Sequence, residues 1–195
     1  MKLRIRTKRG VSREVKVFLL SDVFSYMADA SVSPFLSLLV VNKLSPGNIS
    51  FFGYILAYGL IVRSLFELPL ARFTSVLDIK HKKNIVAFGT MFYGILIASL
   101  GFSPNILTVF LLQTLLSTTE ALMYPLRWSV FTKVIDKGNE EMEWGLEDIV
   151  TNIPAALSAV AVGLISQSFG FEITFLLFGL MYVFSGISFY FIKRG

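Results

Sequence analysis

Apolar residues fill long, nearly uninterrupted runs of this chain. Six runs are long enough to cross ~30 Å of hydrocarbon as helices that rise ~1.5 Å per residue. They lie at about 15–41, 49–71, 84–102, 105–126, 148–168 and 171–192. Little of the chain remains outside them. The pattern predicts an all-α membrane protein in which residues 1–195 form a single domain of six transmembrane helices.

Composition agrees with a membrane protein and removes several kinds of chemistry. The mean hydropathy is +0.69, and only 16% of the residues are charged, which is not typical of a soluble globular domain. The sequence has no cysteine and one histidine, His81, in a connection. Disulfides and thiolate catalysis are excluded, and we expect neither an enzyme nor a bound cofactor or metal.

The distribution of Lys and Arg predicts the orientation of the chain. The N-terminal segment has seven, the second connection four, the fourth three and the C-terminus two, against Lys43 alone on the other side. Basic residues favour cytoplasmic loops, so both termini are expected in the cytoplasm, with the protein in the inner or plasma membrane. A basic arm of this kind contacts anionic lipid rather than nucleic acid.

The six spans are predicted to form two groups of three, at about 12–102 and 105–195, and the most polar connection, a predicted cytoplasmic linker at about 128–146, lies between the fourth and fifth spans. Sliding the chain by 91 positions lays Asp29 on Glu120 and Pro34 on Pro125. Because three spans separate the matching segments, the two groups are predicted to be inverted repeats.

Polar residues follow one face of the first and of the fourth span. Their spacing of three and four residues keeps them on a narrow stripe of each helix; the stripes are Asp22, Tyr26, Asp29 and Ser33, and Gln113, Ser117, Glu120, Tyr124 and Arg127. The third and sixth spans have no charge in their interiors, so we expect them to face lipid. Charged groups inside a membrane normally face a bundle interior or a wet cavity.

The six spans, their repeats and their charged helices together resemble one half of a transporter of the major facilitator superfamily. Members carry Gly, Asp and then Gly with basic residues between the second and third spans, and the segment PLARFTSVLDIKHKKN offers Asp78 followed by Lys82 and Lys83. His81 stands where the family has its second Gly. The chain lacks the Gly-Pro-x-x-Gly-Gly pattern of many antiporters.

The resemblance implies a secondary active transporter of small molecules that works by alternating access, with proton coupling. A lone half would leave polar stripes against lipid, so we expect a parallel homodimer. The small residues at 153–163 in the fifth span and their counterparts in the second would form the contact. Two alternatives stay open: a non-transporting membrane scaffold or assembly subunit, and a fragment or engineered half of a full-length transporter.

Two groups of residues are candidates for function. The predicted substrate and proton site consists of Asp22, Tyr26, Asp29, Arg63, Glu67, Gln113, Glu120, Tyr124 and Asn152. The predicted cytoplasmic gate consists of Asp78, Lys82, Lys83, Arg127, Glu147 and Asp148. Asp29 and Glu120 are interpreted either as a protonatable pair that lines a cavity or as structural partners of Arg63.

Overall fold

The computed structural model describes residues 10–193, apart from the side chains of residues 163–168. The basic residues at 2–9 and Arg194, which were used in the sequence-based predictions, lie outside this part, as does the exposure of Gly163. The described residues contain no strand, and six of their helical segments are long and apolar enough to cross a membrane. The prediction of six spans is confirmed.

The helices follow one another with short connections. Helix α1 spans Arg13–Leu39 and continues as a π-helical turn, Val40–Leu44. The next three are α2 (Ser50–Ser75), α3 (Ile79–Leu100) and α4 (Ile106–Val134). The last helical stretch, Glu140–Tyr190, turns at Gly170; its arms are α5 (Glu140–Val162) and α6 (Phe169–Tyr190).

Local chemistry fixes where the helices begin and turn. Side-chain oxygens of Ser12, Asp78 and Asn105 accept hydrogen bonds from backbone N–H groups in the first turns of α1, α3 and α4, as N-cap residues do. Gly170 has φ 75°, a left-handed conformation that glycine adopts without steric cost. Helices α4 and α5 extend beyond their apolar runs, so the connection between them is only residues 135–139.

Two apolar clusters show how the helices run. Near the start of α1, Phe18 packs in a cluster with Phe131 of α4 and Phe189 of α6. Near its end, Leu39 packs in another cluster with Leu100 and Val109. Helices α1, α3 and α5 therefore run in one direction and α2, α4 and α6 in the other. We call the end at which α1 begins the basic end, because most of the described Lys and Arg residues lie there.

Small residues bring α1 close to α5 and α6. The hydroxyl of Ser185 on α6 lies 2.9 Å from that of Ser21 and 2.6 Å from that of Ser25, both on α1. On α5, Ser158 donates to the backbone carbonyl of Met27 at 2.7 Å. Hydroxyl pairs between small residues often stabilise contacts between membrane helices, and here they hold α1 against α5 and α6.

Helices α3 and α6 approach each other backbone to backbone. A Cβ atom built on Gly94 would lie 2.5 Å from the carbonyl oxygen of Gly179, and one on Gly179 would lie 2.5 Å from that of Gly94. Their outer faces are apolar and exposed, as at Phe92 and Phe184, which fits the expected contact with lipid. Their inner faces are buried, and they bring tyrosines to the centre of the bundle.

Candidate functional site

A cavity of about 250 Å³ opens between α1, α3, α4 and α6. Its lining combines charged, aromatic and small polar side chains. The residues are Ser25, Tyr26, Asp29, Val86, Thr90, Tyr93, Glu120, Met123, Tyr124, Arg127, Trp128 and Tyr182. Five of them, Tyr26, Asp29, Glu120, Tyr124 and Arg127, belong to the two polar stripes of the sequence.

Asp29 lines this cavity and is an exposed residue. The hydroxyl of Tyr182 on α6 donates a hydrogen bond to its Oδ1 atom. The ring of Tyr182 in turn contacts that of Tyr93 on α3, with centroids 4.9 Å apart. None of the ion pairs between described residues includes Asp29. Its carboxylate is thus oriented by a neutral donor and forms no ion pair with a cation in the described part of the chain.

Glu120 differs from Asp29 because it forms an ion pair with an arginine. Arg63 on α2 donates from Nη1 to Oε1 of Glu120 over 2.5 Å, and from Nε to Oε2 of Glu67 over 3.3 Å. The guanidinium also lies 4.6 Å from the centre of the Tyr124 ring. One arginine therefore serves two carboxylates and joins α2 to α4 beside the cavity.

A second ion pair lies beside the cavity, on the side of the basic end. Arg127 on α4 donates from Nε to Oδ1 of Asp22 at 2.8 Å, and its Nη2 donates to the same oxygen and to Ser21. The side chain of Asp22 is 0% exposed and that of Arg127 is 13% exposed. Glu147 on α5 is also buried and lies within electrostatic range of both. Asp22 is thus the carboxylate that pairs with Arg127, and Glu147 lies nearby without an ion pair to it among the described residues.

The other predicted substrate residues lie outside the lining. Gln113 donates to Ser117 at 3.3 Å within α4, and its amide packs against Gly59 of α2. Asn152 is exposed on α5 and donates to Asp148 at 2.8 Å. Both side chains are engaged within their own helices.

The predicted gate residues do not pair with one another among the described ion pairs. Lys82 donates to Ser129 of α4 at 3.5 Å, and Lys83 donates to the backbone carbonyl of Ile192 at 3.0 Å. Asp78 caps α3, where hydrogen bonds from the backbone and ring of His81 lower the pKa of its carboxyl. Two of these contacts join α3 to the ends of α4 and α6.

Sequence reasoning missed the part of the lining that comes from α3 and α6. Tyr93 and Tyr182 stand in runs without charge, and such runs were expected to face lipid. A tyrosine hydroxyl inside an apolar helix needs a hydrogen-bond partner, and this need was the available signal. Trp128 was missed as well; its Nε1 atom is buried without a hydrogen-bond partner among the described residues.

The site can bind and orient a small molecule and can hold a proton on an acidic group. No group of three or more His, Cys, Asp or Glu in the described part of the chain is arranged to hold a metal ion. The described lining also contains no nucleophile next to a general base. The chemistry available there is recognition and proton binding.

Comparison with known proteins places this arrangement in a family. A family model described as Major Facilitator Superfamily matches residues 18–195, which include most of the first span, the other five spans and every residue of the cavity lining. A comparison with curated protein sequences gave no match. The family consists of membrane transporters rather than enzymes, and six spans correspond to one half of such a transporter. The chain therefore belongs to the major facilitator superfamily.

Proposed function

We propose that the chain is a proton-coupled secondary transporter of small molecules, with Asp29 and Glu120 as the groups that take up and release the proton. The observation that carries this proposal is the position of Asp29: it is open to the cavity and has no cationic partner among the described residues. A carboxylate without such a partner is costly in a membrane, and protonation removes that cost.

Glu120 would contribute to coupling through Arg63. Arg63 can satisfy Glu120 or Glu67, and both carboxylates lie within 3.3 Å of it. Protonation of Glu120 would release the arginine to Glu67 and loosen the contact between α2 and α4. A proton at the cavity would in this way change how two helices pack, as alternating access requires.

Transport by alternating access requires a second half that rocks against this one. We propose a second copy in the same orientation, with α2 and α5 at the contact and both ends of the chain in the cytoplasm. The share of buried residues within the span is 17% for α2 and 22% for both α4 and α5, and it is at least 39% for the other three helices. Large apolar side chains such as Leu65 and Leu157 are two-thirds exposed on α2 and α5. The internal repeat of Asp29 and Glu120 agrees with an inverted arrangement of the two groups of three helices.

The experiment measures proton movement directly. Proteoliposomes with a trapped pH-sensitive dye are challenged with membrane-impermeant solutes of four classes: a quaternary ammonium ion, a zwitterionic amino acid, a sugar and a sulfonate. At least one class is expected to change the internal pH in a protein-dependent way. Transport of a labelled solute without proton movement would overturn the coupling. No flux of any class would count against the transporter proposal itself.

A further inference from the structure

The charged groups of the cavity lining are not balanced. The described lining contains three charged side chains, those of Asp29, Glu120 and Arg127. Arg127 is bound through two nitrogens to Asp22, whose carboxylate is fully buried behind the lining. Arg127 carries the single positive charge of the described lining, and the carboxylate of Asp22, which lies outside the cavity, already neutralises it.

The negative charges are neutralised less completely. Arg63 divides its guanidinium between Glu120 and Glu67. From the side chains that the structure describes, Asp29 receives one hydrogen bond, that of the Tyr182 hydroxyl. An anionic ligand would meet carboxylates without a free cation to bind it. A cationic ligand would supply the charge that Asp29 lacks. Electrostatic complementarity thus favours a positive charge.

The aromatic residues of the lining favour the same sign. The faces of tyrosine and tryptophan rings attract cations within ~6 Å of their centres, and Tyr26, Tyr93, Trp128 and Tyr182 all border the cavity. The protein already uses this interaction at the edge of the site, where Arg63 lies over the ring of Tyr124. Tyr26 stands one turn before Asp29 on α1, so that a ring and a carboxylate share one face of that helix.

Size limits the ligand further. Pockets for drug-sized ligands measure roughly 300–1,000 Å³, and this cavity measures about 250 Å³. Its lining mixes ring faces and the apolar side chains of Val86 and Met123 with a few polar groups. A compact molecule with one charge and one apolar or aromatic portion fits these properties.

We infer that the substrate is a small organic cation, such as a quaternary ammonium ion or a protonated amine, whose charge binds Asp29 and whose apolar portion lies against the tyrosines. This inference rests on the proposed function in that it takes the cavity to be the substrate site. Tyr182 fixes the rotation of the Asp29 carboxylate and leaves its second oxygen for the ligand.

Equilibrium binding to the full chain in lipid nanodiscs tests the inference without any transport step. The probes are three molecules of similar size: benzyltrimethylammonium, phenylmethanesulfonate and the neutral N-benzylacetamide. Wild-type protein is expected to bind the cation at least about tenfold more tightly than either of the others. Asp29→Asn should weaken cation binding by about tenfold or more, the loss expected when one member of a charge pair is removed.

Two controls separate local effects from folding. Glu172→Gln removes one acid from the opposite end of the bundle, where Glu172 pairs with Lys43 over 2.5 Å, and should leave binding unchanged. Tyr26→Leu removes a ring from the cavity lining and should weaken binding of the cation more than binding of the neutral probe. Thermal melting of each variant verifies its fold.

The inference is overturned if the anion or the neutral probe binds as tightly as the cation, if none of the three binds at millimolar concentration, or if folded Asp29→Asn binds the cation like the wild type. Failure of the coupling proposal has a different signature. In that case the cation binds and Asp29→Asn loses it, but the internal pH of proteoliposomes does not respond.

Discussion

Arg63 on α2 donates to Glu120 on α4 over 2.5 Å, although 57 residues separate them in sequence. The pair joins two helices that also share a hydrogen bond between the hydroxyls of Tyr58 and Thr114 at 2.8 Å. The same helices pack through the small surface of Gly59 and the rings of Tyr58 and Phe110. The same arginine also pairs with Glu67. If one carboxylate is removed, Arg63 keeps the other as a partner. If Arg63 is removed, both carboxylates lose the ion pair that the structure describes for them.

This asymmetry gives a first prediction. Arg63→Gln should lower the free energy of unfolding by about 1–3 kcal/mol, because it leaves an uncompensated charge within the membrane span. Glu67→Gln should have a smaller effect. The double variant Arg63→Gln with Glu120→Gln should regain part of the loss, measured by denaturant titration in detergent. Additive losses in the double variant would contradict a direct coupling.

Helix packing between α3 and α6 gives a second prediction with a matched control. Gly179→Ala should destabilise the protein by about 1–3 kcal/mol, because the new methyl group meets the backbone of Gly94 in a tightly packed contact. Gly53 lies inside α2 with open space around its Cβ direction. Gly53→Ala should be neutral or stabilising, by up to about 1 kcal/mol. If the melting temperature changes in the same direction and by a similar amount in both variants, the close approach of α3 and α6 is contradicted.

Orientation in the membrane is tested with single cysteines, since the chain has none of its own. Asn48 lies in the turn between α1 and α2, at the end of the bundle opposite the basic end, and Lys137 lies in the connection between α4 and α5, at the basic end. Each is replaced by cysteine, as Asn48→Cys and Lys137→Cys. The proposed orientation expects a membrane-impermeant maleimide to label Asn48→Cys in intact cells and Lys137→Cys only after permeabilisation. The reverse pattern would place the basic end outside the cell.

Association of two copies is tested on the exposed face of α5. Ala159 is exposed there between Leu157 and Val160. A cysteine at Ala159 is expected to form a disulfide between two copies in native membranes, whereas a cysteine at Phe92, on the outer face of α3, should not. Ala159→Phe should lower the dimer content. Equal crosslinking from both positions would indicate random collision rather than a defined contact.

The sequence was sufficient for the helices because a transmembrane span is a local property of length and apolarity. It also identified Asp29 and Glu120, since a charge inside an apolar run stands out. The formation of ion pairs between helices is not a local property. Glu120 and Arg127 lie on the same stripe of α4, yet Glu120 pairs with Arg63 of α2 and Arg127 pairs with Asp22 of α1. The spacing of residues along the chain does not distinguish these partners. Tyr93 and Tyr182 reach the cavity because paired glycines turn α3 and α6 toward each other, which a count of apolar residues does not reveal.

Internal pH in proteoliposomes that contain Asp29→Asn tests the central claim most directly, with Glu172→Gln as the control that removes an acid outside the cavity. Solute-driven proton movement should disappear in folded Asp29→Asn protein, whose stability should hold or rise because the substitution removes a charge from the membrane interior. The control should behave like the wild type. If Asp29→Asn and Glu120→Gln both move solute and protons with unaltered pH dependence, these acids do not carry the coupling.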